Sequence, residues 1–183
     1  MRKSIWVAIS LSLIIIIACA CAIERPIAKF EDKTLINWGI KGCSDKGIVV
    51  LPFETGRYDR KWGVYSARKM KEYLLEHGAF KRVILSDSPA AHVSFVLRGK
   101  IDYMWYGGSY TPSEVSLTVR IIGTSDGKTR YLKKTSTTYE RRGFDMSEMS
   151  RLYLSSPIPE QLLDALLRHV AKDVAATSTL PAE

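Results

Sequence analysis

The pattern of apolar and polar positions changes period several times along the chain, and each change predicts an element. From Gly47 the run Ile48-Val49-Val50-Leu51-Pro52-Phe53 is continuously apolar, as a strand buried on both faces should be, and Pro52 marks its end. Glu54 to Lys61 is polar and contains Gly56, which predicts a loop. Ala67, Met70, Tyr73 and Leu74 then recur at helical spacing, and Gly78 stands where a left-handed cap would stop the helix. Arg82 to Ser86 supplies a second short strand through Val83, Ile84 and Leu85. A strand, helix and strand this close in sequence predict a right-handed parallel crossover.

From His92 to Tyr103 the period becomes two. Val93, Phe95, Leu97, Gly99, Ile101 and Tyr103 fall on one side, and Ser94, Val96, Arg98, Lys100 and Asp102 on the other, which describes a long strand with one wet face. After an aromatic and glycine-rich turn from Trp105 to Pro112, alternation resumes through Val115, Leu117, Val119 and Ile121. Thr124-Ser125-Asp126-Gly127 predicts a tight hairpin turn. The next strand, Thr129 to Tyr139, is rich in Thr, Lys and Arg and suits an exposed or edge position. There Lys133, Lys134, Arg141 and Arg142 would discourage pairing with another sheet. Pro159 opens a helix whose Leu163, Leu166, Leu167, Val170 and Val174 form one apolar stripe, suited to packing on a sheet rather than crossing a membrane. The expected fold class is α/β (α+β): a single domain whose mixed parallel/antiparallel sheet of about five strands carries two main helices.

Residues ahead of this domain change the picture of where it resides. Arg2 and Lys3 precede an apolar run from Ile5 to Ala18 broken only by Ser10 and Ser12, the charged and hydrophobic regions of a secretory signal. The run ends Ile16-Ile17-Ala18-Cys19, which resembles the lipobox of bacterial lipoproteins; this resemblance makes Cys19 the lipid-bearing first residue of the mature chain. An uncleaved membrane anchor is the alternative, since apolar character continues weakly through Cys21, Ala22 and Ile23. Ala20 rather than aspartate after the cysteine favours, by analogy with bacterial sorting signals, the outer membrane, with the domain facing the periplasm. The organisation expected is a signal peptide over 1–18, a lipidated tether and lead-in over 19–45, the mixed domain over 46–176 and a frayed tail over 177–183.

Composition bounds the rest. With 183 residues, 46% hydrophobic and 25% charged, the chain is neither disordered nor a repeat array. Loss of residues 1–18 removes two cations and no acid, which lowers the net charge from +8 to +6. In an exported chain this excess argues against nucleic acid and leaves anionic headgroups, an acidic partner or an ordinary solvated surface. Cys21 and Cys43 could pair in an oxidising compartment or stay free.

The sequence carries no catalytic, cofactor or metal motif. His77, His92 and His169 lack ligand spacing with one another or with Cys43; His77 suits a helix C-terminus, His92 a satisfied structural position and His169 a helix surface. Gly107-Gly108 lacks both a phosphate-loop lysine and a following helix. No serine stands in a nucleophile elbow. One surface feature stands out. Tyr103, Trp105, Tyr106 and Tyr110 run into a glycine turn, and they suit either recognition of a partner or capping of the core at the strand end.

These landmarks fall together: the lipobox, Val50-Leu51-Pro52-Phe53, Gly78-Ala79-Phe80 before a strand, Val96-Leu97-Arg98-Gly99-Lys100-Ile101, Leu117-Thr118-Val119-Arg120-Ile121-Ile122, and Asp126-Gly127 in a turn. Together they resemble the broad superfamily of envelope lipoproteins that includes the penicillin-binding-protein activators, the curli-secretion lipoprotein and the amino-terminal domain of the Tol-Pal translocation protein. Ala91-His92 stands where that group often has alanine followed by aspartate, and the extra hairpins of the curli pore have no counterpart here. The resemblance implies a non-enzymatic lipoprotein that binds another envelope protein as an accessory or assembly factor, or a subunit that self-associates in an envelope complex.

Overall fold

Six strands and two α-helices make up the computed structural model, which describes residues 28–89, 92–107, 112–139 and 159–181. The signal segment, Cys19, Cys21, Tyr110, Arg141 and Arg142 lie outside the described residues. Along the chain come β1 (Ala28–Ile36), a 3-10 turn (Trp38–Ile40), β2 (Gly47–Val50), α1 (Arg60–Glu76), β3 (Arg82–Leu85), β4 (Phe95–Trp105), β5 (Glu114–Gly123), β6 (Thr129–Tyr139) and α2 (Pro159–Ser178). They form one mixed sheet in the order β1-β6-β5-β4-β2-β3. The β2-α1-β3 unit pairs its strands in parallel, Gly47 with Arg82 through Val50 with Leu85, while β4, β5, β6 and β1 pair antiparallel. The fold class read from the alternation holds, with one more strand than the sequence suggested.

Both helices bury their apolar stripes on one face of this sheet. Met70, Tyr73 and Leu74 of α1 and Leu163, Leu166, Leu167, Val170 and Val174 of α2 share one core with Ile48, Leu97, Leu117, Val119 and Ile121. Each such fully buried aliphatic contributes about 1.5–3 kcal/mol. Asp59 caps α1 by accepting from the Lys61 amide at 2.9 Å, and Gly78 ends it at φ 63°, a conformation open to glycine without a Cβ penalty. Among the described residues, the other face carries a small apolar cluster of Val49, Leu51, Val93 and Val96, with Ile84 packed against it.

Phe53 locks the crossover. Its amide donates to the Gly63 carbonyl at 3.1 Å, and its ring lies over Gly99 so closely that a Cβ there would come within 2.2 Å of it. A Cβ on Gly63 would lie 2.2 Å from the Phe53 carbonyl oxygen. The two glycines let the first turn of α1 and the middle of β4 close on the same residue.

Three expectations need correction. The lead-in over 19–45 contains a nine-residue strand, β1, which pairs along its length with β6. That pairing places β6 inside the sheet, so Lys133 does not guard an edge; β6 presents Tyr131, Lys133, Thr135 and Thr137 to the helices as buried residues. The tail is not frayed where it was expected to be: α2 continues to Ser178, whose hydroxyl donates to the Ala79 carbonyl at 2.8 Å, and the Leu180 carbonyl accepts from Gly42 at 2.7 Å. Small polar residues are buried there because their hydrogen bonds are met inside the fold.

Candidate functional site

Alternation in β6 aims Lys133 at α2, and the register opposite it aims Asp32 of β1 the same way. The Lys133 side chain is 3% exposed, with its ammonium 2.9 Å from Asp32 Oδ2 and 3.2 Å from Asp173 Oδ2. The Tyr131 hydroxyl donates to Asp173 at 2.7 Å, the Thr135 hydroxyl donates to Asp32 at 2.7 Å, and His169 Nε2 lies 2.8 Å from Asp32. Phe30 stacks on His169 at 4.3 Å between ring centres. A helix-surface role for His169 is therefore replaced by a place in this cluster. It binds the N-terminal strand to the C-terminal helix through one buried ammonium held by two carboxylates, an arrangement that is favourable only because every partner is present.

Burial raises the Asp32 carboxyl, but hydrogen bonds from Thr135, His169 and Lys133, together with the ammonium charge, outweigh it and bring the carboxyl down to about 2. Burial beside Asp173 pushes the Tyr131 hydroxyl far up, so it stays a donor. A carboxylate lowered on folding stabilises the protein above its unfolded value of about 3.9, and that contribution is lost as pH falls toward 2. A shift of this size corresponds to ~2.5 kcal/mol in full, of which solvent at a side chain 35% exposed leaves about half. Thermal melts between about pH 5 and 2 should show this slope, and Asp32→Asn should flatten it; an unchanged slope in the variant would remove Asp32 as its source.

Tyr103, Trp105 and Tyr106, three of the four aromatic residues singled out from sequence, gather at one end of the sheet. Trp105, the last residue of β4, is 52% exposed and Tyr106 is 51% exposed. Tyr103 is half-buried opposite Ser116. The Tyr58 hydroxyl accepts from the Met104 amide at 2.9 Å, which draws the β2–α1 loop to the same end. There the Arg57 guanidinium lies 5.4 Å from the Tyr58 ring centre, the Lys61 ammonium 5.8 Å from that of Trp62, and Trp62 meets Tyr65 edge-on. Tyr58 and Trp62 were not singled out in the sequence; the polar loop around them hid the contact.

Basic residues collect on the face that carries no helix among the described residues. Arg98 stands opposite Arg120, and Lys33 opposite Lys134, all four exposed. Like charges directly opposite each other on a sheet are mutually unfavourable and form a field that favours a negatively charged neighbour. At the other end of the sheet, the Cys43 thiol forms no disulfide among the described residues and is raised by burial and by Asp45, and it lines an open groove of about 530 Å³ with His92, Phe95 and Arg130. Among the described residues no group of three or more His, Cys, Asp or Glu side chains could hold a metal ion, and no helix is long and apolar enough to cross a membrane.

No protein-family model matches the sequence, and no curated protein matches it. Solved structures do. The PelC dodecamer from Paraburkholderia phytofirmans aligns in two crystal forms: at a TM-score of 0.61 and 13% identity over 80% of this chain and 98% of that one, and at 0.58 and 14% over 81% and 98%. The lipoprotein GNA1162 from Neisseria meningitidis aligns over 69% of this chain and 96% of its own at 15% identity, with a TM-score of 0.40, too low to support an argument about fold. At these identities the likeness to PelC establishes a common fold. The penicillin-binding-protein activators, the curli-secretion lipoprotein and the Tol-Pal protein remain resemblances of sequence landmarks.

Proposed function

We propose that this chain is a lipid-anchored, periplasm-facing protein of the outer membrane that has no catalytic activity and works through protein contacts as an accessory or assembly factor. The observation that carries the reading is its fold, shared with a protein whose solved form is a dodecamer. Attachment at Cys19 would hold the domain at the membrane, and the basic, helix-free face suits an acidic surface on another envelope protein.

Self-association is favoured by the sheet edges. Strands β1 and β3 end the sheet on either side, and they differ in length, direction and sequence. Contact between the β1 edge of one copy and the β3 edge of the next would be head-to-tail, the kind of interface that forms a ring when its rotation closes. Native mass spectrometry of the full chain in mild detergent should give one discrete closed oligomer. A monomer at every concentration would end the self-association reading; residue-specific crosslinking from Arg98 and Lys134 to a second polypeptide would then be required for the accessory reading to stand.

A further inference from the structure

The aromatic end of the sheet is the end from which the N-terminal chain departs. Pairing places Trp105 opposite Glu114, Glu114 opposite Thr138, and Thr138 opposite Lys29, so Trp105 and the second residue of β1 share one row across four strands. Three strand spacings separate them, about 14 Å. The β4–β5 connection is held at the same place, since the Tyr139 amide donates to the Ser113 carbonyl at 3.1 Å and the Gly107 amide to the Ser113 hydroxyl at 3.2 Å.

The chain length ahead of β1 then rules out an inverted orientation of the domain. Cys19 and Ala28 are nine residues apart, a span of ~30 Å at full extension. Strands β4 and β6 have eleven residues each, so the sheet is ~36 Å long. A tether shorter than the sheet cannot leave from one end and let the other face the surface to which it is attached. Given attachment at Cys19, the far end of the sheet cannot be the one that faces the bilayer, and the end carrying Trp105, Tyr106, Tyr58 and Trp62 is the one within reach of it.

We propose that Trp105 and Tyr106 dock into the lipid–water interface of the membrane that holds Cys19. This rests on the lipid-anchor reading and reassigns the two exposed aromatics from partner recognition to orientation of the domain. Indole and phenol rings suit that boundary, because each buries an apolar body and keeps one polar atom wet. Arg57, Arg60 and Lys61 stand there among Glu54, Asp59 and Glu114, so the attraction is aromatic rather than ionic, and docking is expected to persist at high salt. With this end on the bilayer, the basic sheet face and both sheet edges stand upright, free for protein contacts.

The test uses the full chain purified from membranes and reconstituted into phosphatidylcholine–phosphatidylglycerol vesicles whose acyl chains are brominated near the headgroup. Bromine quenching of tryptophan fluorescence should be clear, several-fold smaller in Trp105→Phe, and unchanged by salt. Trp105→Phe keeps a ring of similar character at an exposed position, and Trp62→Phe serves as the comparison variant. Intact mass on the same sample, beside Cys19→Ser, reports the acyl group separately. A chain that carries the acyl mass but shows no quenching overturns the docking, as does quenching that survives Trp105→Phe. Trp105 unquenched by bromolipid yet shielded from acrylamide would assign it to a protein partner, and the proposal would fall. Quenching without acyl mass upholds the docking only where Trp105→Phe abolishes it, since Trp6 of a retained signal segment would also be quenched, and it removes the lipid-anchor reading; neither signal removes both.

Discussion

Replacing Gly63 by alanine is expected to lower the melting temperature by ~6–12 °C, although the same change in an ordinary helix interior would gain about 1 kcal/mol. The sign reverses because the new methyl would lie 2.2 Å from the carbonyl oxygen of Phe53, a backbone atom that cannot swing aside. Relief requires the start of α1 to move off the end of β2, which breaks the Phe53–Gly63 hydrogen bond and opens the core beneath it. Overpacking typically costs ~1–3 kcal/mol, and a clash with fixed backbone falls at the upper end of that range. Gly78→Ala separates this from general intolerance at glycine positions. Gly78 has a φ of 63° and open space around its Cβ position, so alanine there meets only backbone strain of ~1–2 kcal/mol. Calorimetric melts of the two variants should therefore differ clearly, and a Gly63→Ala protein as stable as the parent would mean that α1 is not held against Phe53.

The second large effect comes from removing both counter-charges of Lys133. Asp32→Asn with Asp173→Asn leaves an ammonium 3% exposed and without an opposite charge, at an expected cost of about 3 kcal/mol. Either substitution alone should cost much less, since the remaining carboxylate still holds the ammonium at about 3 Å. Adding Lys133→Met to the double variant should restore most of the loss, because a straight apolar chain fills the same volume and needs no partner. Chemical denaturation of the single, double and triple variants measures this directly. A triple variant no better than the double would place the loss in the hydrogen bonds of Tyr131 and Thr135 rather than in the stranded charge.

These two sites also mark how far the sequence could be read. The β2-α1-β3 crossover, the long alternating strands and the leucine stripe of α2 were legible because each buries a periodic apolar set against the same core. Strand β1 was not, since the side chains it turns toward α2 include Asp32, a carboxylate whose place there depends on Lys133, Thr135 and His169 from two distant elements. The same dependence misplaced β6. Lysine and threonine at alternate positions read as a wet edge, and only the arrival of α2 with Asp173 and of β1 with Asp32 makes that row an interior. The aromatic cluster was visible as a string of rings from Tyr103 onward. Its position beside the departing N-terminal chain came from strand register, which no local pattern specifies.

The pairing of β1 with β6 also sets the order in which this protein can be finished. Ala28 lies opposite Tyr139, 111 residues later in the chain, so the first strand to emerge has no neighbour until nearly the whole sheet has followed it. Until then Asp32 is solvated, and Lys133 meets it only when β6 arrives. The ion-pair cluster is thus assembled last: its charged members come from β1, β6 and α2, and the cost of withdrawing Lys133 from water is met only where all three are together.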